Sequence, residues 1–154
     1  MDMTGEQIIE LPQQQVWAAL NDPAILKDCV AGCDLLERVA ENEFKVGMTA
    51  AIGPVKAKFA GKLLLSDVQP PQSYALTFEG SGGVAGFAKG TATVSLSPEG
   101  AGTKLAYTAR AQVGGKLAQI GSRLIDGVAR KMADEFFTKF KARIQTGNGA
   151  AGGA

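Results

Sequence analysis

The sequence contains no histidine. That removes the usual general base near neutral pH and the commonest metal ligand. No Ser/His/Asp or Cys/His set can be assembled, so Ser, Cys and Lys are left as unassisted nucleophiles. Cysteine is scarce as well, with only Cys29 and Cys33. Four positions apart and without histidine partners, they make a poor metal site. The expectation is two reduced, partly buried thiols of a cytoplasmic protein, with a disulfide as the unsupported alternative. No run of 18 apolar residues occurs, so no transmembrane helix is predicted. Met1-Asp2-Met3-Thr4 puts an acid where a signal peptide carries positive charge, and no leader is expected.

Net charge is also small, at +1, which argues against bulk attraction to nucleic acid. The basic residues lack interleaved aromatics, and no nucleic-acid partner is predicted. The distribution is uneven. Residues 1–77 carry 6 basic and 10 acidic side chains, whereas residues 78–154 carry 10 basic and 5 acidic. Much of the excess sits near the end, with Lys116, Arg123, Arg130, Lys131, Lys139, Lys141 and Arg143 against Asp126, Asp134 and Glu135. Lys116, Arg123 and Arg130 recur every seven residues. Two readings stand. One is a solvated helix face helped by the helix dipole, and the other is a docking surface for an anionic membrane or an acidic partner enzyme.

The 154 residues are 45% apolar, enough for one globular domain with a sizeable core. Its organising stretch is Lys116–Arg143. Leu117, Ile120, Leu124, Val128, Met132, Phe136 and Phe140 recur at helical spacing, and Ile125, Phe137 and Ile144 widen the stripe. A continuous helix of roughly 40 Å is predicted. Gly121 and Gly127 weaken its interior, permitting a bend or a close approach. Its apolar face needs a partner surface, either as core packing alone or with part of it lining a cavity.

That partner is read from the preceding strands. Thr4–Glu10 reads as an edge strand, and Leu11-Pro12 ends it. Val16, Trp17 and Leu20 give a short helix with Trp17 as a core anchor. Asn21-Asp22-Pro23 breaks that helix and opens another. Strands follow at Leu35–Ala40, Glu43–Ala51, Val55–Val68, Tyr74–Phe78, Ala88–Leu96 and Thr103–Val113. Tight connections at Glu41-Asn42, Gly53-Pro54, Pro70-Pro71 and Pro98–Gly102 imply an antiparallel sheet. Gly61 is read as a site of bulging or strong curvature. Gly80–Gly90 is glycine-rich but lacks a Gly-Lys-Ser/Thr ending and a following helix, so it reads as a strand connection rather than a phosphate loop. Residues 1–145 form the domain, and residues 146–154, all small or polar, are expected to be a disordered tail. Asp67, Glu79 and Glu99 read as strand-end acids. Carboxylates from distant segments can still meet, but an enzyme is not expected.

Three segments carry a family resemblance: Asn21-Asp22-Pro23 through Ala31-Gly32-Cys33, Gly53 through Lys62, and Gly80 through Ala92. With the final helix they cover about residues 2–145. They resemble the carbon monoxide dehydrogenase G-subunit (CoxG-like) family of the START-like, or SRPBCC, superfamily. The resemblance implies an α+β helix-grip fold: a curved seven-stranded antiparallel sheet around a long C-terminal helix, with two short helices after strand one. It implies a cavity for an apolar ligand, quinone-like or lipid-like, and no tightly bound cofactor, molybdenum or iron–sulfur site. Family members are accessory proteins encoded beside molybdenum-containing carbon monoxide dehydrogenases and related hydroxylases. They are associated with recruiting such enzymes to the inner face of the cytoplasmic membrane and coupling them to the quinone pool. Many relatives carry a longer C-terminal extension associated with membrane attachment, whereas here a small-residue tail follows Ile144.

Sheet parity combined with the helix face then nominates the cavity: Leu63, Leu65, Leu76, Phe78, Val94, Leu105, Tyr107, Leu117, Ile120, Leu124 and Val128. Gly82, Gly83, Val84, Ala85, Gly86 and Phe87 are expected to form a mobile flap at the entrance, or else an ordinary hairpin with Phe87 in the core. Lys116, Arg123, Arg130, Lys131 and Lys139 are nominated as the partner or membrane surface. The leading expectation is a non-catalytic carrier assisting a partner oxidoreductase. The alternatives are a structural recruitment factor with an incidental cavity and a superfamily-type hydrolase or cyclase.

Overall fold

Leu11-Pro12 and Asn21-Asp22-Pro23 punctuate the first part of the chain in the way their chemistry requires. The first strand, β1 (Asp2–Ile9), stops before Pro12, and two short helices follow, α1 (Gln13–Leu20) and α2 (Pro23–Cys29). The Asp22 carboxylate caps α2 by accepting from the Ala24 amide at 3.0 Å, with Pro23 in the first turn where its missing donor is harmless. Six strands come next: β2 (Cys33–Ala40), β3 (Glu43–Ile52), β4 (Val55–Gln69), β5 (Ser73–Ser81), β6 (Phe87–Glu99) and β7 (Gly102–Gly114). This computed structural model describes residues 1–145 with their side chains. The side chains of 146–154, the tail expected to be disordered, lie outside the description.

All seven strands form one antiparallel sheet in the order β1-β7-β6-β5-β4-β3-β2. Strands β2 to β7 follow one another as a meander, and β1 closes the far edge against β7. The fold is the expected α+β helix-grip, with the sheet curved around the C-terminal helix. Strand glycines permit the curvature. At Gly61 a Cβ would land on the Glu79 carbonyl oxygen, and at Gly90 on that of Arg110. The β4–β5 register runs through Gly61 without a slip, so this is curvature and not a bulge. The slip in β4 comes later, between Ser66 and Gln69, where Asp67 takes a positive φ of 50°.

The single helix expected over Lys116–Arg143 is broken. A short α3 (Lys116–Gln119) is followed by Ile120 and by Gly121 at φ 101°, and α4 runs Ser122–Gly153. Glycine reaches that backbone angle without a Cβ clash. The apolar period passes across the break, which is why periodicity alone read it as one helix. Gly127 inside α4 faces open space, so no close approach requires it.

Among the described residues, the densest packing of helix α4 runs from Phe136 to Ile144. Phe137 stacks on Tyr107 with ring centroids 5.4 Å apart, and Phe136 stacks on Phe140 at 5.6 Å. Phe140, Ile9, Leu105 and Val16 are fully buried. Trp17, the expected anchor, meets the edge of Tyr74 at 5.4 Å, and burial pushes the Tyr74 phenol up to about 12. Gln13 ties α1 to this end by donating to the carbonyls of Pro71 and Leu96. The buried Thr103 hydroxyl donates to the Leu11 carbonyl at 2.7 Å. This is the solid end of the molecule.

Candidate functional site

Side-chain size falls along the inward faces of β6 and β7, at the end of β5, and along α4 toward the same end. On β7 the inward series is Leu105, Tyr107, Ala109, Ala111, Val113, and on β6, which pairs with it, Leu96, Val94, Ala92, Gly90, Ala88. Strand β5 goes from Tyr74 and Leu76 to Phe78 and Gly80. Helix α4 matches this, with Phe140, Phe137 and Phe136 at one end and Met132, Ala129, Val128 and Ile125 at the other. Large residues meet and exclude space at the solid end. Small ones fail to meet at the other, and a gap follows from geometry.

The gap is a cavity of about 410 Å³, within the range of small-molecule sites. One cross-sheet row on its wall is Val46, Gly61, Gly80, Ala88 and Val113, and the next includes Leu63, Phe78 and Ala111. Met48, Ala50, Ile52 and Phe59 extend it along β3 and β4, while Val30, Cys33 and Leu36 close the α2–β2 side. Leu117, Ile125, Val128, Ala129 and Met132 form the helical wall. The lining is almost wholly apolar, so it can hold an apolar molecule by exclusion from water but orient it through few polar contacts. A second hollow, about 550 Å³, lies on the outer face over Thr77, Lys89 and Arg110. It is open to solvent and of mixed polarity, and Arg110 there pairs with Asp2 at 3.4 Å.

Of the residues nominated from parity, Leu63, Phe78, Leu117 and Val128 line the cavity. Leu65, Leu76, Val94 and Tyr107 instead pack against the solid core, and Leu105 is inside it. They share the inward face but lie toward the solid end. Ile120 and Leu124 stand at the opposite limit, beside the β3–β4 turn. A Cβ on Gly53 would lie 2.9 Å from Leu124 Cδ2 and 3.6 Å from Ile120 Cγ2. The positions not nominated include a small set, Gly61, Gly80, Ala88, Ala111 and Ala129. The descending size series was the signal for them.

The glycine-rich segment is a short connection holding one 3₁₀ turn, Gly83–Ala85. The Gly82 amide donates to the Gly86 carbonyl at 2.9 Å. Ala85 is buried, while Gly86 at φ 113° packs so closely that its Cβ would strike the Gly114 carbonyl. None of residues 82–87 lines the cavity. Strand parity points Phe87 outward, 43% exposed over Gly114 and out of the core.

Lys116, Arg123, Arg130, Lys131 and Lys139 are all exposed, and among the described residues none forms an ion pair. They do not form one stripe. Gly121 separates Lys116 from α4, Arg130 lies near Asp134 and Tyr107, and Lys139 lies toward α2 near Cys29.

Both cysteines are free thiols. Burial raises the pKa of each. For Cys33 the Leu35 backbone opposes this and Asp34 adds to it, while for Cys29 Asp28 adds to it and Arg143 opposes. Only Cys33 touches the cavity. Maleimide alkylation of the folded protein is therefore expected at Cys33 and not at Cys29. A raised pKa means less thiolate at neutral pH, so the rate lies below that of an unhindered thiol and continues to climb above its ordinary titration range. Peptide mapping by mass spectrometry across a pH series checks this. Faster labelling of Cys29 would contradict the placement.

Among the described residues, no group of three or more His, Cys, Asp or Glu could hold a metal ion. No described helix is long and apolar enough to cross a membrane. A conserved protein from Geobacillus kaustophilus has the same fold at a TM-score of 0.89 and 35% identity, covering 95% of this chain and 96% of that one. A Thermus thermophilus protein aligns at 0.69 and 17% identity over 96% and 99%, and one from Chromobacterium violaceum at 0.68 and 17% over 93% and 96%. The latter two attest the fold alone. No curated protein matches the chain. The CoxG family, described as the G subunit of carbon monoxide dehydrogenase, matches residues 5–145, nearly the whole domain, and the chain belongs to that family.

Proposed function

We propose that this is a non-catalytic accessory protein that carries a quinone-like or lipid-like molecule in its cavity. In this reading it assists the membrane recruitment or quinone coupling of a molybdenum-containing carbon monoxide dehydrogenase or a related hydroxylase. It works at the inner face of the cytoplasmic membrane as a peripheral protein. The observation that carries the reading is the cavity of about 410 Å³ walled almost wholly by apolar residues between sheet and helix. Such a wall shelters an apolar molecule, and the one carboxylate and one amine along it, Glu79 and Lys62, pair with each other at 3.6 Å. Family membership supports the partner class.

Protein purified from its native host is expected to release a stoichiometric apolar molecule on solvent extraction, identified by mass spectrometry. An empty protein that still binds the oxidoreductase would replace the carrier with a structural recruitment factor.

A further inference from the structure

Antiparallel pairing brings three connections to one end of the molecule: the β3–β4 turn, the β5–β6 connection and the β7–α3 link. The β7–α3 link meets the β5–β6 connection, where a Cβ on Gly115 would lie 2.7 Å from the Gly86 Cα, and Gly53 in the β3–β4 turn meets Leu124 and Ile120 just beyond α3. This is also the end at which the cavity lies, since Ile52, Leu117 and Ile125 line it and adjoin these connections.

Two features of this end have no folding explanation. Val84 is 83% exposed at the tip of its turn, and Leu124 is 44% exposed beside the β3–β4 turn. Solvent gains nothing from either. In addition, residues 50–58, 82–88 and 114–125 contain no Asp or Glu at all, although the chain has 15. They do contain Lys56, Lys58, Lys116 and Arg123, which are exposed and form no ion pair among the described residues. A face made only to stay soluble mixes charges of both signs.

We infer that this acid-free end, with Val84 and Leu124 projecting among Lys56, Lys58, Lys116 and Arg123, is the face that seats on an anionic lipid bilayer. Small aliphatic tips set among lysines suit the headgroup region, where the tips reach acyl chains and the cations meet phosphates. A protein interface would instead call for a buried aromatic or arginine anchor, and this end has one arginine and, apart from Phe87 lying flat over Gly114, no exposed aromatic among its three segments. Seated this way, the cavity faces the bilayer, and an apolar molecule can pass between them without crossing water. The inference rests on the carrier reading for its purpose but not for its geometry.

The test is co-sedimentation with phosphatidylcholine vesicles, with and without phosphatidylglycerol. Binding is expected only to the anionic vesicles and is expected to weaken as salt rises. Each cation lost contributes roughly fivefold. A Lys56→Glu, Lys116→Glu, Arg123→Glu variant therefore loses well over tenfold, while Lys131→Glu with Lys139→Glu stays near the parent. All these side chains are exposed, so folding is not at stake. An environment-sensitive dye on Val84→Cys, in a Cys33→Ser background, is expected to shift blue on vesicle binding. No binding to anionic vesicles, equal losses in both variants, or a dye that stays in water overturns the docking face, as does binding of the oxidoreductase alone through these residues. Calorimetry with a short-chain naphthoquinone, without vesicles, separates the two ideas. Vesicle binding by a protein that takes up no naphthoquinone leaves the docking face standing and removes the carrier. Uptake without vesicle binding does the reverse.

Discussion

Enlarging the cavity wall from both sides, with Ala111→Leu on β7 and Ala129→Phe on α4, is expected to weaken binding of a naphthoquinone by about a hundredfold or more. Both alanines line the cavity from opposite walls. New side-chain volume there displaces ligand rather than protein. Excluding about four methylene equivalents forfeits roughly 3 kcal/mol, and each 1.4 kcal/mol is about tenfold in affinity. Stability is expected to change by less than about 1.5 kcal/mol, because the added atoms enter space that is not packed. Leu105→Ala makes the opposite comparison. Leu105 is 1% exposed inside the solid core, and its truncation is expected to cost about 2–5 kcal/mol. Binding calorimetry and urea denaturation of the same proteins check both halves. An Ala111→Leu, Ala129→Phe protein that binds as the parent does would remove this cavity as the ligand site.

The contrast between Ala111 and Leu105 also shows what could be read in advance. Both sit on the inward face of β7, and alternation alone identified that face, because the side-chain period of a strand is two. The strands, their antiparallel order and the two helices after β1 were legible for similar local reasons: Pro12, Gly53 and Gly100 each stand just past the end of a strand, and Pro23 opens α2, where their backbone preferences dictate. Position along the strand was harder. Parity says which way Leu65, Leu76 and Val94 point, but not which end of the sheet α4 presses against. That depends on a sum over five elements, in which Tyr74, Leu96, Leu105, Phe137 and Phe140 collect at one end and Gly61, Gly80, Ala88, Ala111 and Ala129 at the other. The break at Gly121 was hidden for a different reason. Ile120 and Leu124 keep helical spacing across it, and one glycine in a periodic segment does not reveal its φ.

Glycines on the sheet separate in the same physical way, and this yields the second large effect. Gly61→Ala is expected to destabilise the protein by about 3 kcal/mol or more, whereas Gly80→Ala is expected to lie within about 0.5 kcal/mol of the parent. The two are paired across β4 and β5. Neither takes a positive φ, so the backbone angle does not distinguish them. Space does. A Cβ at Gly61 would fall on the Glu79 carbonyl and lie 2.7 Å from the Gly80 Cα, both of them backbone with no rotamer to yield. At Gly80 the nearest atom would be the Ala60 carbonyl oxygen at 3.7 Å, an ordinary contact. Alanine there also restricts the unfolded chain, which offsets any small packing cost. Relief at Gly61 requires β4 and β5 to move apart where the sheet curves around the cavity, so ligand affinity is expected to fall with stability. For a domain of this size about 3 kcal/mol corresponds to a drop of roughly 10 °C in melting temperature. Thermal and urea denaturation of the two variants measures the difference, and equal costs at Gly61 and Gly80 would mean that the curvature does not depend on Gly61.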